Sequence, residues 1–365
     1  MKYSIKYLLF SGLFALFVFP VHADEDGKNM FNPLTTGVTT LGIAPDARGG
    51  SMGDLGVATD PDVNSQYWNP SKYAFAYSSA GVSVSYTPWL RKLVNDINLA
   101  YVAGYWKFGG NDLQALSASL RYFSLGSVPT YDNNGVLQNT VNPYEMAIDL
   151  GYSRKLSSSF SMGVVFRFIY SDMGFGGLSS AEDMSGAAAF AADISGYQTV
   201  YPIIGRSECQ FSWGFNISNI GSKVSYDGGT NSSFLPTNLR LGFSFLFPIY
   251  DYNTLSINFD ANKLLVPAAP RQSDYTYEDE YGNTQYDTEA YNRAKDKFNN
   301  TGSISGIFKS FSDAPGGFKE ELREIYFSTG LEYSYIADSS CVPDIIMRIN
   351  TREIANMRLS VRVFL

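Results

Sequence analysis

Apolar and polar residues alternate with a period of two through much of this chain. Between Leu239 and Phe247, Leu or Phe occupies every odd position, and Arg240, Gly242 and Ser244 lie between them. Successive side chains of a β-strand point to opposite sides of the sheet. The alternation therefore predicts strands with one apolar and one polar face. The same pattern occurs at 145–153, 160–170, 211–218 and 255–260.

Nine segments carry a strand pattern of this kind. A soluble β-sandwich would alternate in the same way, so the period alone leaves both folds open. Small Gly, Ser and Asn residues opposite large aromatic ones, in strands of about nine to eleven residues, favour a transmembrane antiparallel β-barrel with a polar lumen. We therefore predict an all-β barrel with strands at 81–90, 96–108, 112–124, 143–155, 159–171, 208–219, 236–248, 252–263 and 322–335.

Two long segments interrupt the strand series and are predicted to be loops of the barrel. Residues 172–200 are rich in Gly, Ala and Ser, and GAAAFAAD within them predicts a short helix. Residues 267–321 begin near VPAAP and continue through an acidic, Tyr-rich stretch. Long loops of such barrels usually face outwards and carry function. The acidic stretch could bind a partner or Ca²⁺, but a solvated, partly helical external loop is the simpler interpretation.

The start of the chain predicts export from the cytoplasm. Two lysines precede an apolar run from Leu8 to Val18, and VHA at 21–23 resembles the site at which signal peptides are cleaved. The run is too short for a membrane-spanning helix. An exported chain without a later apolar run of that length is either periplasmic or an outer-membrane barrel.

Charge and histidine content exclude several classes of function. The formal net charge is −8, whereas nucleic-acid binding needs a basic surface, so we expect no nucleic-acid partner. The only His is His22, inside the predicted signal peptide. Its position removes the usual Ser-His-Asp and Cys-His catalysts and His-based metal sites. We expect no enzyme activity, no metal and no cofactor, and Cys209 and Cys341 do not indicate a disulfide framework.

Residues 44–70 carry the most specific pattern in the chain, APDARGGSMGDLGVA followed by WNP. The glycines have a near-Rossmann spacing, but no apolar strand precedes them and no βαβ unit follows, so nucleotide binding is not indicated. They more simply allow an irregular backbone to turn inside a crowded lumen. We expect Asp46, Arg48 and Asp54 to pair with polar lumen side chains, and residues 68–70 to set the turn into the first strand.

This stretch resembles the N-terminal hatch of FadL-like outer-membrane barrels. Its exact residues resemble those of the PorV (LptO-like) family of the type IX secretion system. PTNLRLGF, DANKLLVP and FSDAPGGFKEEL extend the resemblance over about 33–335. It implies a signal peptide at 1–23, a hatch at 24–80, and a barrel at 81–335 with about fourteen strands in an intact member. The hatch motif, expected to be structural, comprises Ala44, Pro45, Asp46, Ala47, Arg48, Gly50, Met52, Gly53, Gly56, Val57, Ala58, Trp68, Asn69 and Pro70.

The resemblance also implies a function in the outer membrane of a Gram-negative bacterium. PorV-like proteins are thought to collect cargo proteins with C-terminal signals from the translocon barrel and to deliver them to a surface complex containing a PorU-like sortase. The expected partners are these cargoes, the translocon, the sortase and outer-membrane lipid, with loops 172–200 and 267–321 as the contact regions. Two alternatives stay open: a FadL-like transporter of small hydrophobic ligands, and a lipid A deacylase with Asp or Glu replacing His as the base.

Residues 336–365 depart from the resemblance. Alternation between Met357 and Val363 is compatible with a closing strand. Back-translated and read from the last base of the Cys341 codon, however, the tail begins RAGYYH and continues as two amphipathic strands of the family type. We therefore expect a reading frame lost near Ile336, with the last strands missing or garbled. An uninterrupted frame in the DNA of this region would contradict that expectation.

Overall fold

The structure of the protein, a computed structural model, describes residues 34–350 apart from 90–91, 93, 95, 132–133, 175–184, 229–231, 251–252, 279–283, 314–316 and 336–344. Within this part, eleven strands form one antiparallel sheet in which each strand pairs with its neighbours along the chain. They are β1 (Ala80–Pro88), β2 (Ile97–Phe108), β3 (Gln114–Leu125), β4 (Tyr144–Lys155), β5 (Phe160–Asp172), β6 (Ala187–Val200), β7 (Gln210–Gly221), β8 (Asn238–Tyr250), β9 (Asn253–Leu264), β10 (Tyr326–Tyr335) and β11 (Ile345–Asn350).

The two faces of the sheet have opposite polarity. The outward side chains of Leu150, Phe166 and Phe243 are 62%, 55% and 50% exposed. Inward side chains of the same strands, such as Asp149 and Arg167, are polar and buried. A soluble protein would bury its apolar face, so this arrangement fits a sheet whose outer side meets lipid and whose inner side encloses polar groups. The predicted polar lumen and apolar exterior are confirmed.

Residues 34–79, the described part of the predicted hatch, cross the inner face of the sheet. They form 3-10 helices at Thr39–Gly42 and Pro70–Phe75 and two short α-helices, α1 (Ala47–Ser51) and α2 (Ser65–Trp68). The sheet must curl around this segment, because β2 to β10 each place a side chain against it. These side chains are Tyr105, Arg121, Glu145, Ser161, Ser195, Asn216, Arg240, Asp260 and Ser328.

Connections at the two rims of the sheet differ in length, as is typical of outer-membrane barrels. The long-loop rim carries the connections 89–96, 126–143, 173–186, 222–237 and 265–325, and the other rim carries the described connections 109–113, 156–159 and 201–209. Short hairpins occur at Val128–Tyr131 with Leu137–Val141, Ile203–Ile204 with Ser207–Glu208, and Thr276–Glu278 with Thr284–Tyr286. The connection 265–325 also contains α3 (Thr288–Asn299), α4 (Ser303–Lys309) and α5 (Phe318–Arg323), so the loop predicted at 267–321 is partly helical, as expected.

The loop predicted at 172–200 is wrong in its second half, where all residues of GAAAFAAD after its Gly belong to β6 instead of a helix. Ala favours helices, but packing overrides that preference here. Every second residue of β6 is buried, and the inward alanines belong to one buried cluster with Val38 and Leu41 of the hatch. These alanines are Ala187, Ala189 and Ala191.

All nine predicted strands exist, with ends that differ by a few residues, and β6 and β11 are the two that the prediction lacks. Strand β11 lies inside the tail predicted to be atypical, while 336–344 and 351–365 lie outside the described residues together with 1–33. The expected frame loss and signal peptide therefore stay predictions. In the described part, β1 and β11 are the edges of the sheet and do not pair with each other. No described helix is long and apolar enough to cross a membrane.

Candidate functional site

Asp46 and Trp68 join the two halves of the hatch motif. The Asp46 carboxylate accepts hydrogen bonds from the backbone N–H of Gly49 (2.8 Å) and from Nε1 of Trp68 (2.6 Å). The first bond caps α1, whose leading N–H groups have no partner within the helix. Burial and the nearby Asp62 raise the pKa of Asp46. The expectation that Asp46 pairs with the lumen wall is therefore wrong, because its partners lie within the hatch.

Arg48 ties the hatch to the far side of the sheet. Its guanidinium forms ion pairs with Asp62 (2.7 Å) within the hatch and with Glu332 (2.9 Å) on β10. It also donates to the carbonyl oxygen of Asp60 (3.0 Å). Arg48 thus pairs with a polar side chain of the lumen, as the sequence predicts. The third charged residue of that prediction, Asp54, has a left-handed backbone with φ 60°.

Asp260 and Lys72 hold the middle of the hatch. The Asp260 carboxylate, on β9, accepts hydrogen bonds from the backbone N–H groups of Gly56 (2.8 Å) and Val57 (3.1 Å). Nζ of Lys72 donates to the carbonyl oxygen of Gly56 (2.8 Å) and to Oγ1 of Thr59 (3.1 Å). Lys72 is fully buried, and burial lowers the pKa of its ammonium to about 8. A charged side chain of the sheet and one of the hatch itself therefore hold the hatch backbone at Gly56 and Val57.

Residues 68–70 turn the chain from α2 into the 3-10 helix that leads to β1. The Asn69 side chain donates to the carbonyl oxygens of Val57 (2.9 Å) and of Gly196 on β6 (3.0 Å). It also accepts from the backbone N–H of Ser71 (3.2 Å) and so caps the 3-10 helix that Pro70 begins. This is the turn that the sequence predicts.

The remaining motif residues contribute packing. Most of them are buried between hatch and sheet, Ala44 and Gly50 are half-buried, and Ala47 is exposed. The motif residues thus contact the sheet and one another through hydrogen bonds, ion pairs and packing. The buried members are Pro45, Met52, Gly53, Gly56, Val57, Ala58 and Pro70.

An ion-pair network that the sequence pattern did not predict lies in the wall of the lumen. Arg167 of β5 lies between Asp149 of β4 (2.7 Å) and Asp193 of β6 (3.0 Å). Asn219 of β7 donates its backbone N–H to Asp193 (2.8 Å) and contacts Arg167 through its side chain. Asp149 and Arg167 are direct partners in the register of adjacent strands. The signal was therefore present as opposite charges on the polar faces of two predicted strands.

Two adjoining cavities lie between the hatch and this network. The larger, of about 250 Å³, is lined by Leu41 of the hatch, Asn219, Arg240 and Tyr326 among others. The smaller shares Leu41, Asn219 and Arg240 and is completed by residues that include Tyr67, Arg121 and Arg167. Among the described residues, no group of three His, Cys, Asp or Glu side chains is placed to hold a metal ion. Much of the lining of these two cavities is polar.

A curled antiparallel sheet with an apolar exterior, a polar interior filled by an N-terminal hatch, and rims of unequal loop length defines an outer-membrane barrel protein. The family model of PorV, described as a type IX secretion system protein, matches residues 25–271, more than half of the 365 residues. The chain belongs to the PorV family.

Solved structures of hydrocarbon channels are also similar to this chain. The Pseudomonas putida toluene transporter TodX is 8% identical, with 83% of this chain and 81% of that chain covered and a TM-score of 0.37. The monoaromatic hydrocarbon channel CymD is 9% identical, with 86% and 83% covered and a TM-score of 0.38. No curated protein matches the chain significantly.

Proposed function

We propose that this protein is a carrier of the type IX secretion system. It receives cargo proteins with C-terminal secretion signals from the translocon barrel and passes them to a surface complex that contains a PorU-like sortase. The observation that carries the proposal is the PorV family match over residues 25–271. The carrier role requires binding and release, and no covalent step by this chain.

The filled lumen supports a cargo contact at the rim of the barrel instead of inside it. The hatch contacts nine consecutive strands, and the larger cavity that it leaves is about 250 Å³. A folded signal domain is far larger than a cavity that suits a small molecule. The carrier therefore binds its cargo at the rim and loops of the barrel instead of conducting it through the lumen.

Helix α4 offers an apolar surface on the long-loop rim. Ile304, Phe308 and Phe311 are 66%, 73% and 50% exposed. Ile304 and Phe308 are four residues apart and so lie on one side of α4, and Phe311 follows two residues after the end of the helix. Grouped exposed apolar side chains mark protein interaction sites more often than scattered ones do. We assign this surface, the α4 patch, to the contact with the cargo signal domain.

The side of α4 opposite the patch is anchored to the rim. Gly306 is buried, and a Cβ there would lie 2.9 Å from the Phe234 ring and 3.1 Å from Pro267. The preceding helix is held by Phe298, whose ring packs edge-on against Phe234 at 5.4 Å between centroids. The patch is thus presented on a fixed support, which lowers the entropy cost of binding.

Substitutions in the α4 patch test this assignment. The double variant Ile304→Ser, Phe308→Ser should weaken binding of a purified cargo signal domain by about tenfold or more, as loss of an interface anchor does. Tyr277→Ser is the control, because Tyr277 is 55% exposed in the same connection but outside the patch. Assembly is checked by the shifted gel migration of the folded protein. Unchanged binding by a correctly assembled double variant would remove the α4 patch from the cargo contact.

The two alternative functions have less support in the site. A transporter of small hydrophobic ligands needs an apolar passage, whereas the two cavities described above are lined in part by Arg and Asn. A lipid A deacylase needs a base, and His22 in the predicted signal peptide is the only His of the chain. Unchanged lipid A in a strain that lacks this gene would exclude the deacylase.

A further inference from the structure

Two buried arginines of the lumen form no ion pair with a described side chain. Arg121 of β3 and Arg240 of β8 are each 6% exposed. Neither forms an ion pair with a residue that the structure describes. Nε and Nη1 of Arg240 and Nε of Arg121 also lack a hydrogen-bond partner there. A buried, unpaired guanidinium is costly, and proteins normally match it with an anion.

The two guanidinium groups converge on one ring of the hatch. Cζ of Arg240 lies 4.7 Å from the centroid of the Tyr67 ring, and Cζ of Arg121 lies 5.1 Å from it. Arg240 also donates to the Tyr67 hydroxyl (3.0 Å), and Arg121 donates to the carbonyl oxygens of Leu41 (3.1 Å) and Ile43. Both side chains are thereby fixed, and both line the smaller cavity.

Nearby carboxylates are already engaged by other groups. Asp149 and Asp193 flank Arg167, which shows how a buried arginine of this lumen is neutralised when a partner exists. Asp260 accepts two backbone N–H groups of the hatch. Unlike Arg167, Arg121 and Arg240 therefore keep guanidinium donors that no described side chain accepts from.

We propose that the pocket formed by Arg121, Arg240 and Tyr67 binds a compact oxyanion, a phosphate or a carboxylate group. Planar guanidinium donors match both groups with paired hydrogen bonds. The adjoining cavity of about 250 Å³, which also contacts Arg240, has room for the rest of a small molecule that carries the anionic group. The bound anion links β3 and β8 of the wall to the hatch, and so stabilises the position of the hatch.

Thermal unfolding of the purified full-length protein in detergent tests the pocket. Inorganic phosphate and acetate are titrated separately, with sodium chloride at matched ionic strength as the reference. The unfolding temperature should rise with phosphate or acetate beyond the chloride reference, because a ligand that binds only the folded state stabilises it. A rise with phosphate alone assigns a phosphate group, and a rise with acetate a carboxylate. An unfolding temperature that changes equally with the concentration of phosphate, acetate and chloride would overturn the proposal.

Variants locate the effect. Arg240→Met should weaken the anion-dependent stabilisation at least tenfold in concentration, measured against the variant's own unfolding temperature in chloride, because it removes guanidinium donors of the pocket. Arg293→Met, on an α3 arginine that is 70% exposed, should keep the full response. An undiminished response of Arg240→Met would contradict the proposal.

A crystal soaked in tungstate gives a measurement that does not depend on any variant. Tungstate is a heavy tetrahedral analogue of phosphate. Its anomalous signal should lie beside Arg240 and Arg121. Ordered water alone in the pocket, or density continuous with the protein's own chain, would overturn the assignment.

Discussion

Trp68 shows that motif glycines which look alike in the sequence have different roles. A Cβ on Gly49 would lie 2.2 Å from the indole ring, and one on Gly56 would lie 2.6 Å from it. Gly53 instead adopts φ 90°, which favours glycine. Gly50 has no atom nearer than 3.8 Å to such a Cβ. Spacing alone predicts glycines that permit turns. Which of them face Trp68 depends on how that side chain packs back against Gly49 and Gly56, nineteen and twelve residues earlier in the chain.

The pair Gly49→Ala and Gly50→Ala separates these roles. Gly49→Ala should lower the free energy of unfolding by about 2 kcal/mol, because the new methyl group displaces Trp68 from Asp46. Gly50→Ala should be neutral or slightly stabilising, because Ala is the better helix former within α1. Denaturant unfolding of the purified variants gives both values. Equal losses at the two positions would contradict the packing role of Gly49.

The ion pair between Arg48 and Glu332 makes a second test at the residue scale. Glu332→Gln should lower the free energy of unfolding by about 1–3 kcal/mol, since the side chains are only 20% and 9% exposed and Arg48 keeps Asp62 as a partner. Glu289→Gln is the control, because the pair of Glu289 with Arg293 is 3.5 Å long and almost fully exposed and should contribute little. Losses of similar size in both variants would argue against the hatch anchor.

Strand β6 shows what alternation can and cannot reveal at the scale of an element. Strands with Leu or Phe opposite Ser, Gly or Arg were predicted correctly, because the period-two contrast between their faces is strong. In β6 the inward row begins with three alanines and the outward row also contains Ala188 and Ala192, so the contrast between the faces is weak in the first half of the strand. Small inward residues are selected here by the hatch, a long-range contact that a local pattern does not contain.

Adjacent positions of β6 therefore respond differently to a larger side chain. Ala189→Leu should displace the hatch near Val38 and Leu41 and destabilise the protein by about 1–3 kcal/mol, the usual effect of overpacking. Ala188→Leu, which faces outwards, should be tolerated. Protease accessibility of the hatch and unfolding of the purified variants measure the difference. A hatch that stays protected in Ala189→Leu would show that the alanine row is not required for its packing.

The whole molecule combines an apolar exterior, a polar lumen and a hatch that fills it. Composition and alternation predict the first two properties, and the resemblance of residues 44–70 predicts the third. The Arg167 network and the cavities required the register of neighbouring strands and the path of the hatch, which no local pattern contains. Because the lumen is occupied, the family's secretion function is expected at the rim, and the α4 patch is the surface there that we assign to cargo.

A secretion assay on a clean deletion of this gene tests the carrier role most directly. One cargo with a C-terminal secretion signal is followed in the periplasm, on the cell surface and in the medium, with the wild-type gene restored as the control. We predict that the deletion strain retains cargo in the periplasm or releases it with its signal uncleaved. Normal secretion combined with impaired uptake of a hydrophobic compound would contradict the carrier role and indicate a small-molecule transporter.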